Sequence, residues 1–262
     1  MSIQKILVPF DFSEASINAL EYAIVFVGPT RNIELQALYV SAMPITEGQE
    51  KTLKLDFGQV VKSFNTKIKT PPSFSTVTGN LIESILEWHN TNGSDLILMG
   101  TMGDKVTDEA ITNTSRLVLE ANCPVISVPF GTPIREPKDI ALVMGREEID
   151  DKEVLKTLLD VARTFDSRVH ALTIYRESVY AEESIVDSTE NLLEYYLEHF
   201  YEEHAFSKNQ DVEEGILEYI NKKNIDLLAI LPRNHTQMST PSEGRLTKLL
   251  TLHSEIPVLT LD

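Results

Sequence analysis

Cysteine occurs once in the 262 residues, at Cys123. One thiol makes no internal disulfide, and its place beside the apolar, strand-like run "CPVISV" predicts an inert buried side chain. Basic residues are scarce too: 23 Lys and Arg stand against 40 Asp and Glu, a formal net charge of −17. No basic cluster is denser than Lys222-Lys223, so nucleic-acid backbones and anionic membranes meet no basic patch and are excluded as partners. No 18 apolar residues run together, so no membrane-spanning helix is expected. The opening "MSIQKILVPFDFSE" lacks the charged start, long apolar stretch and cleavage site of a signal peptide, and a cytoplasmic location is the expectation. Two nucleotide motifs are missing: there is no Gly-x-x-x-x-Gly-Lys-Ser/Thr, and no Gly-x-Gly-x-x-Gly follows the first strand. A phospho-receiver would need an acceptor Asp where the third strand reads "FSTVTGN". What is present is 42% hydrophobic residues, enough for a substantial core.

The chain repeats itself. "ILEWHNTNGSDLIL" (85–98) returns as "ILEYINKKNIDLLA" (216–229), keeping Ile85/Ile216, Leu86/Leu217, Glu87/Glu218, Asn90/Asn221 and Asp95/Asp226 at one offset. "KILVPF" is answered by "DIALVM", and "CPVISV" by "IPVLTL". Self-similarity over half a chain indicates duplication, here of a unit at 1–131 and a second at 138–262. The Pro- and Gly-rich "PFGTPIREPK" (129–138) has the composition of a linker between them.

In the first unit, continuous apolar strands at Ile3–Pro9 and Ile33–Val40 flank a helix that Ser13 caps and Gly28-Pro29 stops. A weakly patterned helix through Leu53–Phe64 precedes a strand around Ser73–Thr78. Asn80 caps a third helix that Asn92-Gly93 ends, followed by a strand at Asp95–Met99, a short helix at Ser115–Asn122 and a strand at Pro124–Val128. Strands of this kind alternating with helices predict a parallel sheet covered on both faces. The fold class is therefore α/β, two tandem doubly wound five-stranded parallel sheets.

Such sheets bind ligands beyond the carboxyl ends of their strands, where the strand order reverses. The turns "PFDFSE" and "GTMGDKVTDEAITNTS" occupy that place. Gly100 and Gly103 allow backbone N–H groups close to an anion, and Thr114 and Ser115 offer hydroxyls at a helix start. Asp11 suits a ribose, or Mg²⁺ held against phosphate. A glycine pair at this spacing also ends many strands that bind nothing, so an empty loop is the competing reading.

The residues "KILVPFDFSEASINALEYA" with "DLILMGTMG", "NTS" and "CPVISV" resemble the universal stress protein family, here as a tandem of two domains. The resemblance implies a Rossmann-like fold of the adenine nucleotide alpha hydrolase type and a stress-response role, regulatory or protective, without enzymatic activity. Nucleotide-binding members carry Gly-x2-Gly-x9-Gly-Ser/Thr, and this chain keeps that spacing with Asn113 in place of the third glycine. Asn is the best non-glycine residue at positive φ, which is the conformation expected for Asn113. The resemblance implies ATP, with Mg²⁺, as the ligand of the first domain. Pro9, Asp11 and Val40 would then lie at adenine and ribose, Met99 and Gly100 at ribose and α-phosphate, and Gly103, Asn113, Thr114 and Ser115 at the phosphates. Asp104, Asp108 and Glu109 against only Lys105 oppose an anion there. The resemblance further implies pairing of the two halves through "PVISV" and "PVLTL", with a homodimer of the whole chain beyond it. The rival function is a nucleotide-free interaction scaffold. Slow ATP hydrolysis lacks an identifiable base or cationic clamp.

The second half reads as a non-binding partner domain: Gly145, Leu231 and Asn234 stand where Asp11, Gly100 and Gly103 would, and only Gly244 and Thr247 remain as loose candidates. Arg233 and Arg245 there read as solvated surface residues. "ENLLEYYLEHFYEEHAF" (190–206) is expected as a helix burying Leu193, Tyr196, Leu197 and Phe200, with no metal site in its histidines. Residues 1–131 hold 9 basic and 14 acidic side chains and the rest 14 and 26, net charges of −5 and −12. From Glu177 to Glu203 there is no Lys or Arg, a solvated acidic face or a docking face for a basic partner.

Overall fold

The computed structural model describes residues 3–64, 68–102, 112–144, 154–175, 192–231 and 245–261. In the first half, β1 (Lys5–Pro9), α1 (Glu14–Val27), β2 (Glu34–Ser41), α2 (Glu47–Ser63), β3 (Ser73–Thr78), α3 (Leu81–Asn92), β4 (Leu96–Thr101), α4 (Asn113–Glu120) and β5 (Val125–Pro129) follow in order. The second half runs β6 (Asp139–Val143), α5 (Val154–Phe165), β7 (Arg168–Tyr175), a 3₁₀ turn (Glu198–Phe200), β8 (Tyr201–Lys208), α6 (Val212–Lys223), β9 (Leu227–Ile230), α7 (Arg245–His253) and β10 (Val258–Thr260).

Local chemistry sets the helix ends. Ser13 caps α1 by accepting from the Ser16 N–H at 3.2 Å, and Gly28, at φ 63, closes it. Asn80 accepts from the N–H groups of Ile82 and Glu83 to start α3, and Gly93 ends it in the left-handed region. Helix α2 begins earlier than its apolar pattern suggests, because Thr46 and Gln49 form a reciprocal capping box ahead of six polar or glycine residues. One expectation fails. Residues 192–197 are helical, but the chain then makes the 3₁₀ turn and enters β8. Tyr201, Glu203 and Ala205 do not continue a helix; they belong to a half-buried edge strand paired with β7, so His199 and Glu203 are not neighbours across one helical turn.

The ten strands form one sheet in the order β3-β2-β1-β4-β5-β10-β9-β6-β7-β8. Each half is a parallel five-stranded sheet, and the two join where β5 meets β10 antiparallel, Val258 opposite Ser127 and Thr260 opposite Val125. The join uses the strands of "PVISV" and "PVLTL".

Helices cover both faces. On the side of α1, α2 and α5 a single core runs across both halves, from Phe10 and Phe57 through Ile126 and Leu259 to Leu158 and Val169. Opposite, α3 and α4 enclose one core around Leu7, Ile85 and Ile97, and α6 and α7 another around Leu172, Ile216 and Leu228. Phe26 of α1 and Phe165 of α5 meet edge to face at 4.7 Å, and the Arg31 guanidinium lies 4.6 Å above Phe165. Arg31 donates to the carbonyls of Phe26 and Thr164 and to Glu136, each at 3.1 Å, so one cation ties α1, α5 and the connecting segment together.

Candidate functional site

The sheet opens where its strand order reverses. β1 pairs with β2 through to Pro9, and the Phe10 N–H still donates to Leu38 O at 2.9 Å. Against β4, however, β1 pairs only at Ile6/Leu96 and Leu7/Ile97, while β4 continues alongside β5 to Thr101/Pro129. Beyond Leu7 and Ile97 the two strands part, leaving a crevice at their carboxyl ends. Leu7, Leu38 and Ile97 belong to the core on the α3–α4 side. Pro9, Val40 and Met99, each two residues further on, therefore face that same side. Pro9 and Met99 are buried and Val40 half-buried, forming an apolar lip.

Asp11 lies in the turn after β1, between Phe10, which belongs to the opposite core, and Phe12, which packs against it. Its carboxylate accepts from the Ser13 N–H at 3.0 Å and the Ser13 hydroxyl at 2.5 Å, and its own N–H donates to Ser16 Oγ at 3.3 Å. Partial burial disfavours the charge, but the bonds from Ser13 and Ser16 outweigh it and hold the carboxyl below the ordinary aspartate range. Phe12, between them, has φ 65, a backbone conformation costly for an aromatic residue.

Gly100 is explained by packing. A Cβ there would stand 2.1 Å from Ala15 O and 2.5 Å from Ala15 C, so only glycine lets the first turn of α1 lie against β4. Thr114 and Ser115 turn inward: the Thr114 hydroxyl donates to Gly100 O at 2.9 Å, and Ser115, fully buried, donates to Thr112 O and accepts from the Thr112 N–H, both at 3.0 Å. The cap of α4 is Thr112, in a capping box with Ser115. Asn113 is the first residue of the helix and is not among the residues with positive φ, so the left-handed turn expected there does not exist. With Thr112 as cap, the helix starts two residues earlier than expected and takes Asn113 into its right-handed backbone. Of the residues singled out, Pro9, Val40, Met99 and Gly100 stand towards the carboxyl ends of β1, β2 and β4, Asp11 lies in the turn after β1, and Thr114 fastens α4 to Gly100. Gly103, Asp104, Lys105, Asp108 and Glu109 lie outside the described residues.

The sequence profile of the universal stress protein family matches residues 2–129, the span that carries this crevice. The first half of the chain thus carries a universal stress protein domain. Solved structures extend the likeness in fold to both halves. A universal stress protein from Archaeoglobus fulgidus DSM 4304 is 15% identical, covers 98% of this chain and 97% of its own, and superposes with a TM-score of 0.69. A functionally unknown protein from Pseudomonas aeruginosa PAO1 is also 15% identical, over 99% and 92%, with a TM-score of 0.64. A universal stress protein solved in complex with cAMP matches 48% of this chain and 98% of its own at 14% identity and a TM-score of 0.36. No curated protein matches the sequence.

In the second half the carboxyl end of the corresponding strand is built differently. Where Gly100 lies near the carboxyl end of β4, Leu231 follows β9 and packs its side chain against the shared core. Gly145, Arg233, Asn234 and Gly244, and the side chain of Arg245, lie outside the described residues; Thr247 is buried in α7 and accepts at its carbonyl from Thr251 at 2.8 Å. Residues 177–191 of the acidic stretch lie outside the described residues; in the remainder, one acid serves the fold. Glu203 on β8 accepts from Lys223 at 2.7 Å, from Tyr219 at 3.2 Å, and lies 3.4 Å from His170, whose other nitrogen faces Asp139 at 3.1 Å. Among the described residues no three His, Cys, Asp or Glu side chains gather as a metal site, and no helix is long and apolar enough to cross a membrane. Phe12 carries a structural signal invisible in the sequence: "PFDFSE" contains the residue without showing its φ.

Proposed function

We propose that this universal stress protein is a cytoplasmic, non-enzymatic stress-response protein that binds an adenine nucleotide, ATP, in its first half, and that it works as a homodimer. The observation carrying the reading is the parting of β1 and β4 beside the lip of Pro9, Val40 and Met99. The fit differs between the two ends of the ligand. A flat adenine suits an apolar lip, and an ionised Asp11 in the turn after β1 suits ribose hydroxyls. At the phosphate end, the hydroxyls of Thr114 and Ser115 are already engaged within the fold. What α4 offers there is the positive end of its dipole and the N–H groups of its first turn at Asn113 and Thr114. Mg²⁺ would come with the phosphates and not from a preformed ligand set.

The engaged hydroxyls favour a second reading, a nucleotide-free scaffold that acts through partner proteins. Calorimetric titration of the full chain with MgATP separates the two. Saturable binding near one nucleotide per chain, weakened by Asp11→Ala and by Gly103→Asp, supports the nucleotide reading. No heat from wild type freed of copurified nucleotide leaves the scaffold.

A further inference from the structure

We propose that Phe12 is a positioning residue for the crevice: its ring, anchored on the α2 side of the sheet, fixes the turn that holds Asp11 towards Pro9, Val40 and Met99. The proposal rests on the nucleotide reading above for what Asp11 would meet, and on geometry for how it is held.

Phe10 belongs to the core on the α1–α2 side and Phe12 packs against it, with Asp11 in the turn between them. The Phe12 ring meets Phe10 edge-on at 4.9 Å, Phe74 at 6.2 Å and Tyr39 at 6.0 Å, and Phe10 in turn meets Phe57 at 5.3 Å. Such pairs add to plain burial and fix ring direction. The backbone at Phe12, at φ 65, is one that an aromatic residue leaves unless its surroundings impose it. It persists here because the ring cannot swing out without abandoning the cluster. This reversal at Phe12 turns Ser13 back onto Asp11, where one hydroxyl does two jobs. Ser13 Oγ donates to the Asp11 carboxylate and accepts from the Ser16 N–H that it caps. Ring anchor, left-handed turn, helix cap and carboxylate are thus mechanically one unit. The depressed titration of Asp11 follows from the same bonds.

The test compares Phe12→Ala, Phe12→Gly and Phe12→Tyr in the full chain, reading the Asp11 carboxyl by ¹³C NMR pH titration without ligand and MgATP affinity by calorimetry. In Phe12→Ala the ring is gone while the backbone cost stays, so Asp11 should titrate closer to the ordinary aspartate range and ATP affinity should fall about tenfold. Phe12→Gly relieves the backbone but not the lost anchor, and should show the same two changes with a smaller loss of thermal stability. Phe12→Tyr keeps the ring and should behave as wild type. An unchanged Asp11 titration in Phe12→Ala and Phe12→Gly, with only the melting temperature lowered, overturns the proposal. Wild type that binds no ATP refutes the nucleotide reading instead, and Phe12's role in it. Wild type that binds, with Phe12→Ala binding equally well, refutes the anchor alone.

Discussion

The ends of β4 and β9 are equivalent places in a duplicated design, one strand pairing Leu96 with Ile6 and the other Leu227 with Ile140. Their amino edges are built alike. Asp95 accepts from the N–H groups of Gln4 and Lys5 at 2.8 and 2.9 Å, and Asp226 accepts from those of Lys138 and Asp139 at 2.9 and 3.1 Å. The helices before them are capped alike, by Asn80 and by Asp211, and end alike, with Gly93 and Asn224 in the left-handed region. Their carboxyl edges are not alike. Gly100 admits the first turn of α1, whereas Leu231 puts a side chain into the core. Duplication has kept what holds each half together and released what shapes the crevice.

Making one half resemble the other breaks or sharpens this contrast. Gly100→Leu should have the largest effect, about 3 kcal/mol or more in urea unfolding, because the clash is with backbone that cannot rotate away. Leu231→Gly should cost less, about 2 kcal/mol, since its half-buried side chain leaves only a partial cavity. Equal costs would mean that the two positions are not distinguished by packing. Next, Asp95→Ala and Asp226→Ala should each cost about 1 kcal/mol by removing two hydrogen bonds that water can partly replace at these largely exposed edges. The exposed end of the Arg135–Asp226 pair adds little to the second. A large inequality between them would show that the shared brace is not equally used.

A smaller effect belongs to the second half alone. The bond from Lys223 comes first among the causes that hold the Glu203 carboxyl below the ordinary glutamate range, with His170 and Tyr219 adding to it against burial. A carboxyl held low in the folded state stabilises above its unfolded value and loses that contribution as pH falls through its folded value. Glu203→Gln should therefore lower the melting temperature near neutrality, and its gap from wild type should close on acidification. A gap independent of pH would sink this account. Least of all, Tyr22→Phe should be neutral or stabilising by up to about 1 kcal/mol, because the Tyr22 hydroxyl is buried in the shared core with no hydrogen-bond partner among the described residues.

Much of this fold is legible in the sequence because its signals are local. Ser13, Gly28, Asn80 and Gly93 act on their own helix ends, and the continuous apolar runs need no partner to be recognised as buried strands. The misreadings concern choices made at longer range. "EYYLEHFYEEHAF" has helical spacing of aromatics, yet pairing with β7 along Tyr201–Lys208 takes its second part into the sheet. Gly100 reads as a loop glycine, and only the proximity of Ala15, 85 positions earlier in the chain, reveals a packing glycine. At Asn113 the spacing of a glycine motif suggested a left-handed turn, but Thr112 caps α4 one residue earlier and draws Asn113 into the helix. The crevice itself follows from topology and could be located in advance; the inward turn of its hydroxyls could not.

The antiparallel meeting of β5 and β10 has a consequence for dosage. Two separate chains joined by those contacts would come apart on dilution. Here a nine-residue connection from Phe130 to Lys138 keeps the partners at a local concentration on the order of millimolar whatever the amount of protein present. A cell holding few copies of this chain thus holds every one of them already paired, and one half is free to diverge while remaining the other's permanent support.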